Sequence, residues 1–293
     1  MARAMVLAAG LGTRLRPLTE ELPKPLVPVG DRPLVGHIAE RLRAAGFPEL
    51  VMNTHHGAEY FASRIHELGL AVHLVHEPVI RGTAGGIAGA RSLLTGGPVI
   101  VWNGDILAEP SLPELLDRAG SGLAFAIVPR AAGEGTVGMG DRGQVVRLRD
   151  ERFGSEASGG DYIGVAALGP AALSTLPERG CLVADVALPA LRRGESIAAV
   201  PVRGGFTDVG SVRAYHQANL DWLGRTRGPG KAWVHPTAQV AGPVELRECV
   251  IGEGARVFGE GLLDKVVVWP GAAATAPLRD AVVTTRGSVV RIP

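Results

Sequence analysis

The chain has 293 residues, with 30 basic and 29 acidic side chains, and 46% of it is hydrophobic. That length suits one large domain plus a small one, and the near-balance of charge leaves no global field for nucleic acid or a membrane surface. Aromatics make up only 4%, without the basic-aromatic interleaving that stacks single strands, and no apolar run reaches membrane-spanning length. Cys181 and Cys249 are far apart and fit no metal spacing, which points to a reducing compartment. The first ten residues carry one charge and a very short apolar stretch, so a first strand is expected there in place of a signal peptide. The expected location is cytoplasmic.

In chain order, residues 5–9 are a short apolar run bounded by glycine, which predicts a buried strand. Gly10 and Gly12 then allow a tight turn, since neither carries a Cβ, and such a turn exposes N–H groups that together form a nest for phosphate oxygens. Arg14 and Lys24 add a planar fork and a point charge. Helical spacing of Leu34, Val35, Ile38 and Leu42 predicts a helix over 34–45, closed by Gly46. A strand over 50–53, a helix over 58–68, a strand over 70–75, a helix over 85–94 and a strand over 98–102 follow. This alternation predicts an α/β fold: a mostly parallel, Rossmann-like sheet with helices on both faces. Ligands bind such sheets at the carboxyl ends of strands, where Gly10 and Asp105 both fall. Strands at 123–128, 144–148 and 162–168 between glycine-rich turns predict a β-rich insertion that walls one side of the site. A helix over 183–191, a strand over 197–202, a strand end and turn at 206–210 and a Ser211-capped helix over 212–223 complete a domain spanning 1–223.

Residues 224–231 are a linker by composition. Beyond it, Val234, Val240 and Leu246 are spaced by six, and after a slip of one residue Ile251, Val257, Leu263 and Trp269 continue the period. One inward apolar residue per six, set among glycine and alanine, predicts a short parallel β-helix over 232–293; the alternative is a set of irregular hairpins. About three coils fit, few enough that the tail must lean on the first domain or on another subunit.

The glycine turn alone could be an ordinary strand-to-loop turn beside two solvated cations. It lacks the third glycine of the dinucleotide fingerprint, because position 15 is Leu, and the Gly-Lys-Ser/Thr of a phosphate loop, because Thr13-Arg14 follows Gly12. The full string Leu7-Ala8-Ala9-Gly10-Leu11-Gly12-Thr13-Arg14-Leu15-Arg16-Pro17-Leu18-Thr19, followed by Pro23-Lys24-Pro25-Leu26, resembles the signature of the sugar-1-phosphate nucleotidyltransferases, and among them the mannose-1-phosphate guanylyltransferases. The resemblance covers residues 1 to about 223 and, more loosely, the tail, since many members carry a left-handed β-helix there. It implies transfer of a nucleotidyl group from an NTP to a sugar 1-phosphate, releasing pyrophosphate, with Mg²⁺ as cofactor.

The resemblance also implies roles for individual residues. Arg14, Lys24 and Asp105 would be catalytic, and Leu7, Ala9, Gly10, Gly12 and Thr13 would line the phosphate loop. Asn103 and Gly104 lead into Asp105, and Asp105 with Asp208 of Asp208-Val209-Gly210 would bind the metal; either aspartate alone is as readily a helix cap. Gly82, Thr83, Ala84 and Gly85 would lie against the nucleobase. Glu77 would face its pairing edge, and because a carboxylate only accepts hydrogen bonds, it would suit the adjacent donors of guanine and favour GTP over UTP. His55 and His56 would fall near the same pocket or be structural. Gly138, Tyr162, Gly164 and Asp185 would line the sugar pocket. Many relatives have a Glu-Lys-Pro whose Lys meets the sugar phosphate; here the stretch reads Arg149-Asp150-Glu151-Arg152-Phe153, leaving Arg149 or Arg152 as substitutes. The alternatives are a uridylyl- or thymidylyltransferase of the same family, a non-catalytic sensor of nucleotide sugars, which the intact set Arg14, Lys24, Asp105 and Asp208 disfavours, and a hexapeptide-repeat acyltransferase, disfavoured by the few coils and by His235 as its one possible base. Self-association through the tail is expected, with no nucleic-acid or membrane partner.

Overall fold

The computed structural model describes residues 2–65 and 71–292; the expected helix end at Leu68 and strand start at Leu70 lie outside the described residues. Contacts divide the chain into two compact units. One comprises Met1–Gly10 with Ile38–Asp208, the other Leu11–His37 with Val209–Pro293.

The first unit is built on β1 (Arg3–Leu7), β2 (Glu49–Thr54), β3 (Ala71–His76) and β4 (Val99–Asn103), which pair in parallel in the order β3-β2-β1-β4. Met5, Val6, Val99 and Ile100 are completely buried, as expected of a parallel strand covered on both faces. Helices α1 (Leu34–Ala44), α2 (Ala58–Arg64), α3 (Gly82–Gly89) and α4 (Leu112–Ala119) lie between strands in the chain. β5 (Ile106–Ala108) lies just beyond β4. β6 (Leu123–Arg130), β7 (Val137–Met139), β8 (Val145–Leu148), β9 (Ser158–Leu168) and β10 (Ile197–Pro201) continue the sheet. β9 runs antiparallel to β4, β6 and β7, and β10 parallel to β6. The expected parallel sheet is therefore its centre, and the sheet as a whole is mixed. α4 and β7 were not expected. Pro113 interrupts the helical pattern of α4, yet Ser111 before Leu112-Pro113 is the start signal for a helix with proline in its first turn. A last short strand, β11 (Phe206–Asp208), pairs antiparallel with β5.

In the second unit, Ser211 Oγ accepts from the Ala214 N–H at 3.2 Å and caps α5 (Val212–Arg227). The helix runs four residues past the expected end, through the first half of the presumed linker. β12 (Trp233–Val234), β13 (Gln239–Val240), β14 (Val244–Arg247), β15 (Val250–Ile251), β16 (Arg256–Val268) and β17 (Ala273–Val283) form a parallel ladder. Val234 pairs with Ile251, Val240 with Val257 and Leu246 with Leu263. Each partner lies seventeen positions on, one short of three hexapeptides, which is the slip seen in the sequence. β18 (Val289–Arg291) closes the ladder antiparallel to β17.

Segment 11–37 belongs to this unit through buried polar contacts. The Tyr215 hydroxyl donates to the Pro28 carbonyl at 2.5 Å and accepts from the Trp269 indole N–H at 2.9 Å, and burial pushes its pKa up. Asn219 Oδ1 accepts from the Gly30 N–H at 2.9 Å. Replacing Tyr215 with Phe leaves the Pro28 carbonyl and the Trp269 N–H without this partner, and a stranded buried polar group costs about 1–3 kcal/mol. Tyr215→Phe is expected to lower the thermal unfolding midpoint by several degrees, read by circular dichroism.

Candidate active site

The carboxyl ends of β1, β2 and β4 meet in one hydrogen-bonded cluster. Asn53, at the end of β2 and 2% exposed, accepts from the Ala8 N–H with its Oδ1 at 2.9 Å and donates from Nδ2 to Glu77 Oε1 at 2.7 Å. Glu77 Oε2 accepts from the Arg81 N–H at 3.2 Å, and the Glu77 N–H donates to the Thr54 carbonyl at 2.7 Å. His55 donates from Nδ1 to the Glu77 carbonyl at 2.7 Å. Gly104 N–H donates to the Leu7 carbonyl at 2.8 Å, which ties the end of β4 to that of β1. Ala9 is buried and Gly10 exposed.

Glu77 therefore does not present its carboxylate to a base edge. Both oxygens serve the protein, and the residue is 2% exposed. The sequence sets Glu77 just before the glycine run but does not reveal Asn53 as its partner. A polar residue ending a buried run, as Asn53 does in Leu50-Val51-Met52-Asn53 and Asn103 does in β4, is the signal that would have found it. His56 has no such contact with Glu77, and His55 is a fixed structural ring.

α3 packs tightly on this cluster. A Cβ on Gly86 would lie 2.6 Å from Asn53 Nδ2 and 2.9 Å from Glu77 Oε1. The start of α3 is tied to the turn that opens the helical stretch from Leu182 to Arg192, close to the expected helix over 183–191: Gly180 N–H donates to the Arg81 carbonyl at 2.8 Å, Ala84 N–H to the Gly180 carbonyl at 2.9 Å, and Leu182 N–H to Thr83 Oγ1 at 2.7 Å. Gly82 approaches Gly180 closely, and Gly85 approaches Glu178 and Arg179 just before it. Asp185 is exposed, and its Oδ2 accepts from the Cys181 N–H at 2.6 Å, so it first shapes that turn.

Strand pairing places the backbones of Asp105 and Asp208 one register step apart. Asp208 sits opposite Ile106 in the β5–β11 ribbon, one step from Asp105. The Trp102 indole N–H donates to the Ile106 carbonyl at 2.8 Å and secures the ribbon. Asp105 is half-buried and Asp208 exposed.

On β9, Tyr162 lies with its ring 4.4 Å from that of Phe125, and loss of water pushes its phenol pKa up. Gly164, at φ +78, is backed by Asn103: a Cβ there would meet Asn103 Nδ2 at 2.4 Å. Gly138 is buried, and a Cβ on it would meet the Glu156 carboxyl at 2.6 Å. That carboxyl pairs with Arg147, Nε to Oε2 at 2.8 Å and Nη2 to Oε1 at 3.0 Å, with only 8% and 5% of the two side chains exposed. The buried arginine of this wall is thus Arg147, which sequence reasoning missed, while Arg149 and Arg152 are both exposed.

The charged part of the signature belongs to the second unit. Gly12, at φ +63, precedes a single turn over Thr13–Leu15. Its carbonyl accepts from the Leu15 N–H and from Thr19 Oγ1, both at 2.9 Å. A Cβ on Gly12 would crowd Thr19 at 2.9 Å. Leu15, Leu18 and Leu26 are completely buried and anchor the loop that carries exposed Arg14 and half-buried Lys24.

A family model described as Nucleotidyl transferase matches residues 3–224. The chain belongs to this family. This nucleotidyltransferase is 29% identical over 272 residues to a protein named probable mannose-1-phosphate guanylyltransferase 1 of Oryza sativa subsp. japonica, covering 87% of this chain and 74% of that one. It is 41% identical over 127 residues to the N-acetylmuramate alpha-1-phosphate uridylyltransferase of Neisseria meningitidis, covering 41% and 53%. Among solved structures, HddC from Yersinia pseudotuberculosis shares the fold, with a TM-score of 0.63, 22% identity and coverage of 76% and 100%. The chain is accordingly an enzyme of the nucleotidyltransferase class. Among the described residues, no helix is long and apolar enough to cross a membrane.

Two outcomes follow from the buried carboxylates. Glu77→Gln turns one acceptor into a donor facing Asn53 Nδ2 or the Arg81 N–H, a mismatch worth about 1–3 kcal/mol, and is expected to lower the urea midpoint measurably. Arg147 holds Glu156 at about 2, against 4.5 for a free carboxyl. Because the folded value is the lower one, this stabilisation is complete above 4.5 and is lost as pH falls toward 2. Unfolding free energies measured from about pH 5 to about pH 2.5 should fall less steeply in Glu156→Gln than in the unsubstituted protein.

Proposed function

We propose that the enzyme transfers a guanylyl group from GTP to mannose 1-phosphate or a close relative, giving an NDP-sugar and pyrophosphate. The observation that carries the sugar-phosphate chemistry is the pairing of β11 with β5, which sets Asp208 one register step from Asp105, in a chain whose signature retains Arg14 and Lys24. The sugar phosphate oxygen attacks the α-phosphorus in line as pyrophosphate leaves, and no covalent enzyme intermediate is required. The Arg14 guanidinium forks the NTP phosphates and stabilises the departing pyrophosphate. Lys24 holds the reacting phosphates as a point charge, and the turn from Ala9 through Gly10 and Gly12 to Thr13 offers its N–H groups to the same oxygens. Gly82 to Gly85 lie against the base, while Gly138, Tyr162, Gly164 and Asp185 bound the sugar.

The two aspartates suit Mg²⁺, a hard cation that takes one or two carboxylates and completes its shell with water and phosphate oxygens. Bound there, it would supply positive charge where the two substrates' phosphates meet. The tail is proposed to wind as a left-handed β-helix, which the seventeen-residue return supports, and to carry self-association.

GTP is favoured by the guanylyltransferase names among the relatives. The second reading, uridylyl transfer, has two observations in its favour: the higher identity over the part shared with a uridylyltransferase, and the use of the Glu77 carboxylate inside the protein, which removes the direct argument for guanine.

A matrix of NTPs against sugar 1-phosphates, read by pyrophosphate release, decides between them; faster turnover with UTP than with GTP overturns the guanylyl assignment. Asp105→Asn, nearly isosteric, is expected to abolish Mg²⁺-dependent pyrophosphate release without loss of fold. Arg14→Ala should cost on the order of a hundredfold in rate; a loss below about tenfold would identify a merely solvated arginine.

A further inference from the structure

The loop between Arg14 and Lys24 is attached to the C-terminal end of the chain. Glu21, three residues before Lys24, accepts through Oε1 from the Thr284 hydroxyl and through Oε2 from the Arg286 N–H at 3.0 Å. Thr284 and Arg286 lie in the turn between β17 and β18. The turn is itself well tied: Thr284 N–H donates to the Ser288 carbonyl at 3.0 Å, Ser288 N–H to Thr284 Oγ1 at 3.1 Å, and Gly287 N–H to the Thr284 carbonyl at 2.9 Å. Thr284 is 1% exposed, so its hydroxyl is withdrawn from water and directed to one carboxylate oxygen.

We propose that Glu21 is a positioning residue and that the Thr284–Ser288 turn is its clasp, so that the last hairpin of the tail sets the position of the two cations of the signature. The contacts at Pro28 and Gly30 hold the segment beyond Lys24. Glu21 adds a polar attachment between Arg14 and Lys24 themselves, beside the buried Leu15 and Leu18. A phosphate-binding loop works by holding donors where charge develops, and displacements near 1 Å are enough to cost rate. A tail that clasps this loop is part of the catalytic apparatus, whatever part it has in self-association. Turnover then depends on the integrity of a hairpin more than 260 positions along the chain from the loop it holds.

The proposal rests on the reading of Arg14 and Lys24 as phosphate ligands, and its test separates the two. Glu21→Leu and Thr284→Val break the clasp from either side. Glu21→Gln keeps it without charge, since the amide oxygen can accept from Arg286 N–H and the amide nitrogen can donate to the Thr284 hydroxyl, which accepts as well as donates. Val250→Ala, in the buried interior of the tail, is the control for lost stability alone. Hydrogen exchange of amides 11–24 and kcat/KM for the NTP are measured in the full chain. In Glu21→Leu and Thr284→Val, exchange should quicken by about tenfold or more, and kcat/KM should fall by about tenfold. The double variant should be little worse than either single one. KM for the sugar 1-phosphate, exchange and turnover in Val250→Ala, and both readouts in Glu21→Gln should stay near the unsubstituted values. Unchanged exchange in the clasp variants overturns the clasp. Quickened exchange with unchanged turnover overturns the positioning role. Damage by Glu21→Gln equal to that by Glu21→Leu assigns the effect to charge and also overturns the proposal. If exchange quickens while Arg14→Ala is silent, the fault lies in the reading of the phosphate loop and not in the clasp.

Discussion

The first unit depends on one buried amide. Asn53 uses both ends of its side chain, accepting from the Ala8 N–H and donating to Glu77, and thereby ties the loop after β1 to the segment that enters α3. A carboxylate sealed from water is costly unless it is hydrogen-bonded, and Glu77 meets this with one donor on each oxygen. Gly86 follows from the same arrangement, because any side chain there would displace the amide from the carboxylate. The position of the glycine-rich start of α3, and with it the turn before Leu182, is a consequence of that contact.

The acidic groups of the first unit divide by their partners. Glu156 is half of an ion pair shielded from solvent and carries the β-rich wall beneath Gly138. Removing one member of such a pair is expensive because it strands the other. Asp105, just before a short ribbon, is half-buried, and Asp208, on its other strand, is exposed.

The second unit joins pieces remote in sequence. The cations of the signature rest on buried leucines and on polar contacts to α5 and to the tail, whereas the strand that leads into the signature belongs to the sheet. A single motif is thus shared between two compact units, and the covalent step from Gly10 to Leu11 is where the chain changes from one to the other.

Much of this was legible in the residues. The apolar runs of β1, β2 and β4 marked a parallel centre because strands covered on both faces must be apolar throughout, and the six-residue period marked the ladder of the tail, even to its one-residue slip, because register follows side-chain spacing. The signature string identified the family and the cations. Contacts between residues distant in the chain were not legible. Nothing in the sequence near Glu77 shows that Asn53 lies against it, so its carboxylate was assigned to a base that it does not face. Nothing near Glu21 shows Thr284, and Arg147 looked no different from Arg149 until β7 and β8 folded over Glu156. Local periodicity and turn chemistry are set by neighbours along the chain, and these the sequence determined; which polar atom satisfies which, and which charge is left available for chemistry, is set by the packing of remote segments, and that only the tertiary structure decided.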